Sequence, residues 1–319
     1  MSVLSLVVPV FNNAPSLPEL ISRISNLRAE LSKIEIELDL IWVDDFSSDG
    51  SREILQNFVQ NHSETKLILL SKNFGGINAS KAGWSKATGD VFTTLASDLQ
   101  EPPELILQMA MEWQNGNNFV ICERISRNDR RNEKISSSLF YKVLRRFVFH
   151  DYPTGGFDLA LLPNRYLPIL LDSAKSVYPA ALIWSLGLKP KIISYHREAR
   201  KHGKSGWTFL KKFDAVKNII FGFTNKPMRF TVILGGLSCS LSFTYGTAVI
   251  LNALLKGTEI PGFATLATLL TFLFGIVIVI LGIMAEYIWL IFMEINKQPA
   301  YVIEQEFNTP LRKTKSNGI

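Results

Sequence analysis

At 319 residues the chain has room for two domains at most, at roughly 100–200 residues each. Its 47% hydrophobic residues, mean hydropathy of +0.16 and 19% charged residues exclude disorder, collagen and coiled coil, and equally a pure membrane bundle. Two cysteines, Cys122 and Cys239, exclude a disulfide framework or zinc pattern, and a net charge of +6 is too modest to call for a nucleic acid partner.

In chain order, Leu4–Phe11, Leu38–Val43, Lys66–Leu70, Val91–Leu95 and Phe119–Cys122 read as short β-rich runs, and helical patterns separate them. That alternation predicts an α/β domain with a mostly parallel sheet, whose ligands bind beyond the carboxyl ends of the strands. The polar residues just after each run are therefore the candidates: Asn12 and Asn13; Asp44, Asp45, Ser47 and Asp49; Asn73 to Gly75; and Ser97 to Glu101. An acidic cluster without a glycine-rich phosphate loop points to phosphates held through a metal, for which Asp98 with Gln100 suffices, since Mg²⁺ usually takes one or two carboxylates plus substrate oxygens. Asp44, Asp45 and Asp49 also read as caps of a helix over 52–58, a role that suits Asp49 best.

Further on, Phe209 to Phe223 and Leu139 to Val148 each place apolar residues on one helical face and lysines or arginines off it, the pattern of an interfacial helix or of one packed on the domain core. Residues 230–255 and 260–285 carry no formal charge. At about 1.5 Å per residue each reaches about 39 Å, beyond the roughly 30 Å hydrocarbon core, so the expectation is a two-helix transmembrane hairpin with a tight turn from Gly257 to Gly262. Basic residues gather before it (Lys211, Lys212, Lys217, Lys226, Arg229) and after it (Lys297, Arg312, Lys313, Lys315), which places the first 228 residues and the tail on the cytoplasmic side. The expected organisation is a cytoplasmic domain over 1–207, an amphipathic juxtamembrane helix over 208–228, two spans over 229–294 and a tail over 295–319.

Eight motifs follow one another along nearly the whole chain: VVPVFNN (7–13), VDDFSSDGS (43–51), LSKNFGG (70–76), AGWSKATGD (82–90), SDLQEPPE (97–104), GGFDL (155–159), GKSGW (203–207) and AEYIW (285–289). In that order they resemble the family 2 glycosyltransferases of the polyprenyl-phosphate type, the group containing dolichol-phosphate mannose synthase and the bactoprenol glucosyltransferases. The resemblance implies a GT-A fold and transfer of a sugar, with inversion, from a nucleotide diphosphate sugar such as UDP-glucose to a polyprenyl phosphate lipid, with Mg²⁺ or Mn²⁺ as cofactor. It implies that Pro9, Phe11, Asn13, Asp44, Ser97 and Asp98 bind the nucleotide sugar, that Asp98 and Gln100 hold metal and diphosphate, and that Arg124, Arg127, Arg200 and Lys204 serve the acceptor and donor phosphates. A homo-oligomer is compatible with it. Four positions depart from the family pattern: Asn13, Ala96 and Gly156 stand where acids are usual, and Gly206 where a lysine is. Asp158, two residues beyond Gly156, is the stand-in acid, with a structural role as its alternative. Because a phosphate monoester has its second pKa near 6, such an acceptor is already ionised at neutral pH and needs positioning more than deprotonation. A transferase using another lipid-linked acceptor, whose hydroxyl needs a base, and a catalytically inactive membrane adaptor are the competing readings.

Overall fold

The computed structural model describes residues 1–126, 141–142, 144–146, 148–173, 178–198, 217–256, 262–296 and 299–308. Five strands stand where the apolar runs predict them: β1 (Ser2–Val10), β2 (Ile36–Asp44), β3 (Lys66–Leu70), β4 (Val91–Thr94) and β5 (Val120–Ser126). Three more, β6 (Phe157–Pro163), β7 (Lys191–His196) and β8 (Ile303–Phe307), complete an eight-stranded sheet in the order β7-β5-β6-β4-β1-β2-β3-β8. β1 pairs parallel with β2 and β4, β2 with β3, and β5 with β7, whereas β6 runs antiparallel to β4 and β5, and β8 antiparallel to β3. The carboxyl ends of β1 to β5 and β7 therefore share one edge with the amino ends of β6 and β8.

Helices cover both faces. α1 (Leu17–Lys33), α2 (Ser51–Gln60) and α4 (Glu104–Gln114) pack over one core layer that includes Leu6, Val8, Trp42 and Leu69. α3 (Gly76–Trp84) lies on the other face with Val7, Ile41 and Ile68. It comes unusually close, because a Cβ on Gly83 would stand 2.2 Å from a Val7 methyl, so only glycine admits the contact. Two short helices follow, α5 (Leu167–Asp172) and α6 (Pro179–Ser185).

The apolar segments form two long helices that pack on one another, α7 (Lys226–Lys256) and α8 (Phe263–Ile295). Among the described residues, one stretch, Phe272–Met293 of α8, is long and apolar enough to cross a membrane by length and composition. α7 is interrupted by small and hydroxylated residues, among them Gly235, Gly236, Ser240, Ser242 and Thr244, which lower its hydropathy. The described part of the juxtamembrane segment, helical at 217–223, sets Ile219 fully inside the domain core and Phe223 against Phe149. Tyr141 and Leu144 of the other amphipathic stretch are likewise buried there. Where they are described, both apolar faces meet the α/β domain.

The chain returns from α8 to the sheet. Residues 303–307, which the sequence places in a tail, form β8 on the outer edge of β3, and the Asn308 amide donates to the carbonyls of Val59, His62 and Thr65 to fix its end.

Candidate active site

The loops after β1 and β2 interlock. Asn12, at φ 49°, donates its N–H to the Ser47 hydroxyl (3.0 Å) and accepts the Ser48 N–H on Oδ1 (2.8 Å). Asp49 accepts from the Ala14 N–H and from both the N–H and hydroxyl of Ser51, so it ties the two loops and holds the start of α2. Burial works against this carboxylate, yet those hydrogen bonds hold it below the usual range. Asp45 is buried and accepts the N–H groups of Phe74 and Gly75, which carries the loop after β3 into the same wall. Its carboxyl is raised by burial, with the two N–H bonds opposing.

Asp44 ends β2 with no exposed surface. Its carboxylate accepts Nε of Arg52 at 2.8 Å and the Ser47 N–H at 3.2 Å. Burial pulls the Arg52 guanidinium down, but the bond to Asp44 and the further carboxylate of Glu304 keep it above its ordinary value. Arg52 also covers the ring of Phe46 at 5.5 Å. Phe46 and Phe11 are both about half exposed, while Pro9 is half-buried in β1.

Asn13 joins this wall to the next. Its side-chain amide donates to the backbone carbonyl of Ser97 and to the Ser97 hydroxyl (3.1 Å), and its N–H reaches the Ser51 hydroxyl. An acid at this position would set lone pairs against the Ser97 carbonyl, so the asparagine is what lets the ends of β1 and β4 close on each other.

Beyond β4 the charges concentrate. Leu99, buried and at φ 59°, turns the loop, and Asp98 accepts the Gln100 N–H at 3.2 Å. Glu101 is 3% exposed and pairs with Arg197, which follows β7, at 2.8 Å. The Glu198 N–H donates to the Gln100 carbonyl and fixes the two segments together. Burial pushes the Glu101 carboxyl up to about 7, with Arg197 opposing and the carboxylates of Asp158 and Asp98 adding to the rise. Arg197 is lowered by burial but carried well above its usual value by Glu101 and Asp158.

Asp158 stands on β6, with Arg124 Nε 2.7 Å away and the Tyr195 hydroxyl donating at 2.5 Å. Burial and the neighbouring Asp158 and Glu101 raise the Tyr195 phenol, and they push the Cys122 thiol to about 12, so neither ionises in the neutral range. Arg124 is almost wholly buried, its Nη2 donating to the Tyr141 hydroxyl at 3.4 Å. Among the described residues its Nε and Nη1 have no hydrogen-bond partner, so the contact to Asp158 is an ion pair. Gly156 adopts φ 69°, and a Cβ there would lie 2.3 Å from Cζ and Oη of Tyr141. Tyr141 thus fills the space that an acid at 156 would need.

Of the sequence candidates, the structure brings Asn13, Ser97 and the Asp98 loop together, and brings Asp158 onto Arg124; Arg127, Arg200 and Lys204 lie outside the described residues. Sequence reasoning missed Arg197, Tyr195 and Tyr141. Arg197 directly follows a strand, so the rule that selected Asp98 finds it once β7 is recognised. Among the described residues no group of three or more His, Cys, Asp or Glu forms a metal cage. The donor set still fits a divalent ion held jointly with a diphosphate, because Glu101 and Asp158 are committed to arginines and Asp98 supplies one carboxylate.

The profile described as glycosyl transferase family 2 matches residues 5–168, just over half of the chain. A glycosyltransferase of Synechocystis sp. without an assigned substrate is 28% identical over 94% of both chains. The prophage bactoprenol glucosyl transferase homologue of Escherichia coli K12 is 27% identical over 95% of this chain and 98% of its own. Among solved structures, Staphylococcus aureus TarS bound to UDP-GlcNAc aligns with 69% of this chain and 66% of its own at 18% identity and a TM-score of 0.45.

Proposed function

The chain belongs to glycosyl transferase family 2 and is a glycosyltransferase, and on that premise we propose that it moves a sugar from a nucleotide diphosphate sugar to a polyprenyl phosphate at a membrane surface. The observation that carries this reading is the gathering of Asp98, Glu101 and Asp158 with Arg124 and Arg197 at one edge of the sheet, where a chain of carboxylates and guanidiniums suits a reaction between two phosphorylated substrates. The bactoprenol glucosyl transferase homologue along nearly the full length, and the apolar helix at Phe272–Met293, support a lipid acceptor.

In this reading the nucleoside lies against Pro9, Phe11, Asn13 and the loop that Asp44 holds, with Ser97 and Asp98 beside its diphosphate. A Mg²⁺ or Mn²⁺ held by Asp98 and Gln100 supplies positive charge to that diphosphate when bound. Arg124, with Arg127, Arg200 and Lys204, receives the acceptor phosphate, whose oxygen attacks the anomeric carbon in line; the new carbon–oxygen bond forms as the bond to the β-phosphate breaks, the nucleoside diphosphate leaves, and the configuration inverts. Asp158 orients Arg124. The acceptor phosphate is ionised near neutral pH, so no base is required. α7 and α8 form two spans, with residues 1–207 and both termini on the cytoplasmic side and the segment over 208–228 joining the domain to the first span.

The test is transfer by the purified chain from labelled UDP-glucose, GDP-mannose or UDP-N-acetylglucosamine to undecaprenyl phosphate. Label in the organic phase with one donor supports the reading. Label with none, or only when a lipid-linked sugar replaces the phosphate, overturns the acceptor assignment.

A further inference from the structure

β8 lies 233 positions beyond β3 at their Leu70↔Ile303 pair, and it brings an acid to the nucleotide wall. Glu304 Oε2 accepts Nη1 of Arg52 at 3.2 Å, while the same guanidinium gives Nε to Asp44 at 2.8 Å and Nη2 to the Leu70 carbonyl at 3.2 Å. Arg52 is thus held by three elements at once: by the end of β2, by the end of β3, and by β8. With a single carboxylate partner its Nη1 would lose its acceptor, while the Phe46 ring lies beneath the guanidinium face. The second carboxylate holds Nη1 and so helps to fix the plane of the guanidinium that Asp44 and the Phe46 ring both meet.

We infer that Glu304 is a positioning residue for donor binding: through Arg52 it sets the orientation of Asp44 and of the loop carrying Phe46, although it is encoded after the membrane helices. This rests on the proposed placement of the nucleoside against that wall. Two other contacts show what β8 does merely as a strand. Glu306 pairs with Lys86 at 2.7 Å, and Asn308 caps the far end, both away from Asp44. Of these three side chains, Glu304 is the one that reaches Arg52 and the wall of Asp44.

Because Glu304 is half exposed, its loss leaves the strand in place, and the effect expected is that of a partly solvated ion pair, about three- to fivefold in affinity. The experiment titrates the full chain with UDP and with GDP, and measures transfer from the donor carrying the tighter nucleotide. Glu304→Gln is expected to weaken the tighter nucleotide about three- to fivefold and to raise the donor KM, with kcat and acceptor KM unchanged. Glu306→Gln is expected to leave nucleotide affinity within about twofold of wild type. Undiminished affinity in Glu304→Gln, or equal losses in Glu304→Gln and Glu306→Gln, overturns the inference. Asp44→Asn separates the two levels: if it weakens the nucleotide while Glu304→Gln does not, the inference falls alone, and if it does not weaken it, the placement of the nucleoside falls as well.

Discussion

Tyr141 makes sense of the glycine at 156. Its ring is 8% exposed and stacked on Tyr152, so it does not swing aside cheaply, and the left-handed backbone at Gly156 disfavours any side chain there. Restoring the acid by Gly156→Asp is therefore expected to abolish turnover and lower the melting temperature; an active, equally stable variant would show that Tyr141 yields. The acid that remains, Asp158, is ion-paired with Arg124 and accepts the Tyr195 hydroxyl, contacts that suit an orienting role. Asp158→Ala is expected to slow transfer about 10²-fold, and a pH–rate series should show the same deficit throughout the range in which the acceptor is ionised. Recovery at high pH would make it a base instead. Asp98→Asn should abolish transfer without altering the melting temperature, and wild-type chain in excess chelator should behave alike; activity in either removes the metal. Glu101 gives a pH signature of its own. Its folded-state carboxyl is raised to about 7, so the folded state holds more protons than the unfolded state between about 4.5 and 7, and this group's contribution to stability falls as pH rises through that window. Melting temperatures between pH 5 and 8 should show a flatter slope in Glu101→Gln than in wild type.

At the level of elements, β1 to β5 were legible because each is a run buried on both faces: every residue of β3 is buried, as are Leu38 and all of Leu40 to Val43 in β2. β7 and β8 were not, since both lie on sheet edges and expose much of their length, so their sequences KIISYH and IEQEF carry no such run. Their strand character comes from the edge that they complete, which only the assembled sheet supplies. The same reasoning explains the candidates. Asp98 and Asn13 follow legible strands, whereas Arg197 follows an illegible one, and Tyr141 is recruited by an absent side chain. Beside the long helices, Lys217 and Glu286 form an ion pair at 3.1 Å, and the Tyr287 hydroxyl donates to the Thr224 carbonyl at 3.3 Å. These contacts clamp α8 to residues 217–224. Glu286→Gln is expected to lower transfer to lipid severalfold while leaving UDP or GDP affinity unchanged, and an equal fall in both would make the clamp a general stability element.

The whole molecule is closed on itself: the chain leaves the catalytic domain through 217–225, runs through α7 and α8, and re-enters the sheet as β8. Eight Cα steps separate Ile295 from Ile303, a reach of at most about 28 Å, so the wall formed by Asp44 and Arg52 is tied close to the end of α8. A boundary at residue 207 follows the charge and hydropathy of the sequence, but it cuts away Ile219 from the core and β8 from the edge of β3. Losing both exposes apolar surface and leaves β3 with unpaired backbone groups. A chain ending at Gly206 is therefore expected to melt at a lower temperature and to bind UDP or GDP more weakly than the full chain. If residues 226–295 are instead replaced by a Gly/Ser linker of about 20 residues, whose average span is about 25 Å, both Ile219 and β8 are kept. Nucleotide affinity should then match the full chain, while no sugar reaches undecaprenyl phosphate. The comparison assigns folding of the donor site to the returning strand and access to the acceptor to the helices between. A chain ending at Gly206 that binds nucleotide as tightly as the linker variant would show that the returning strand adds nothing to the donor site.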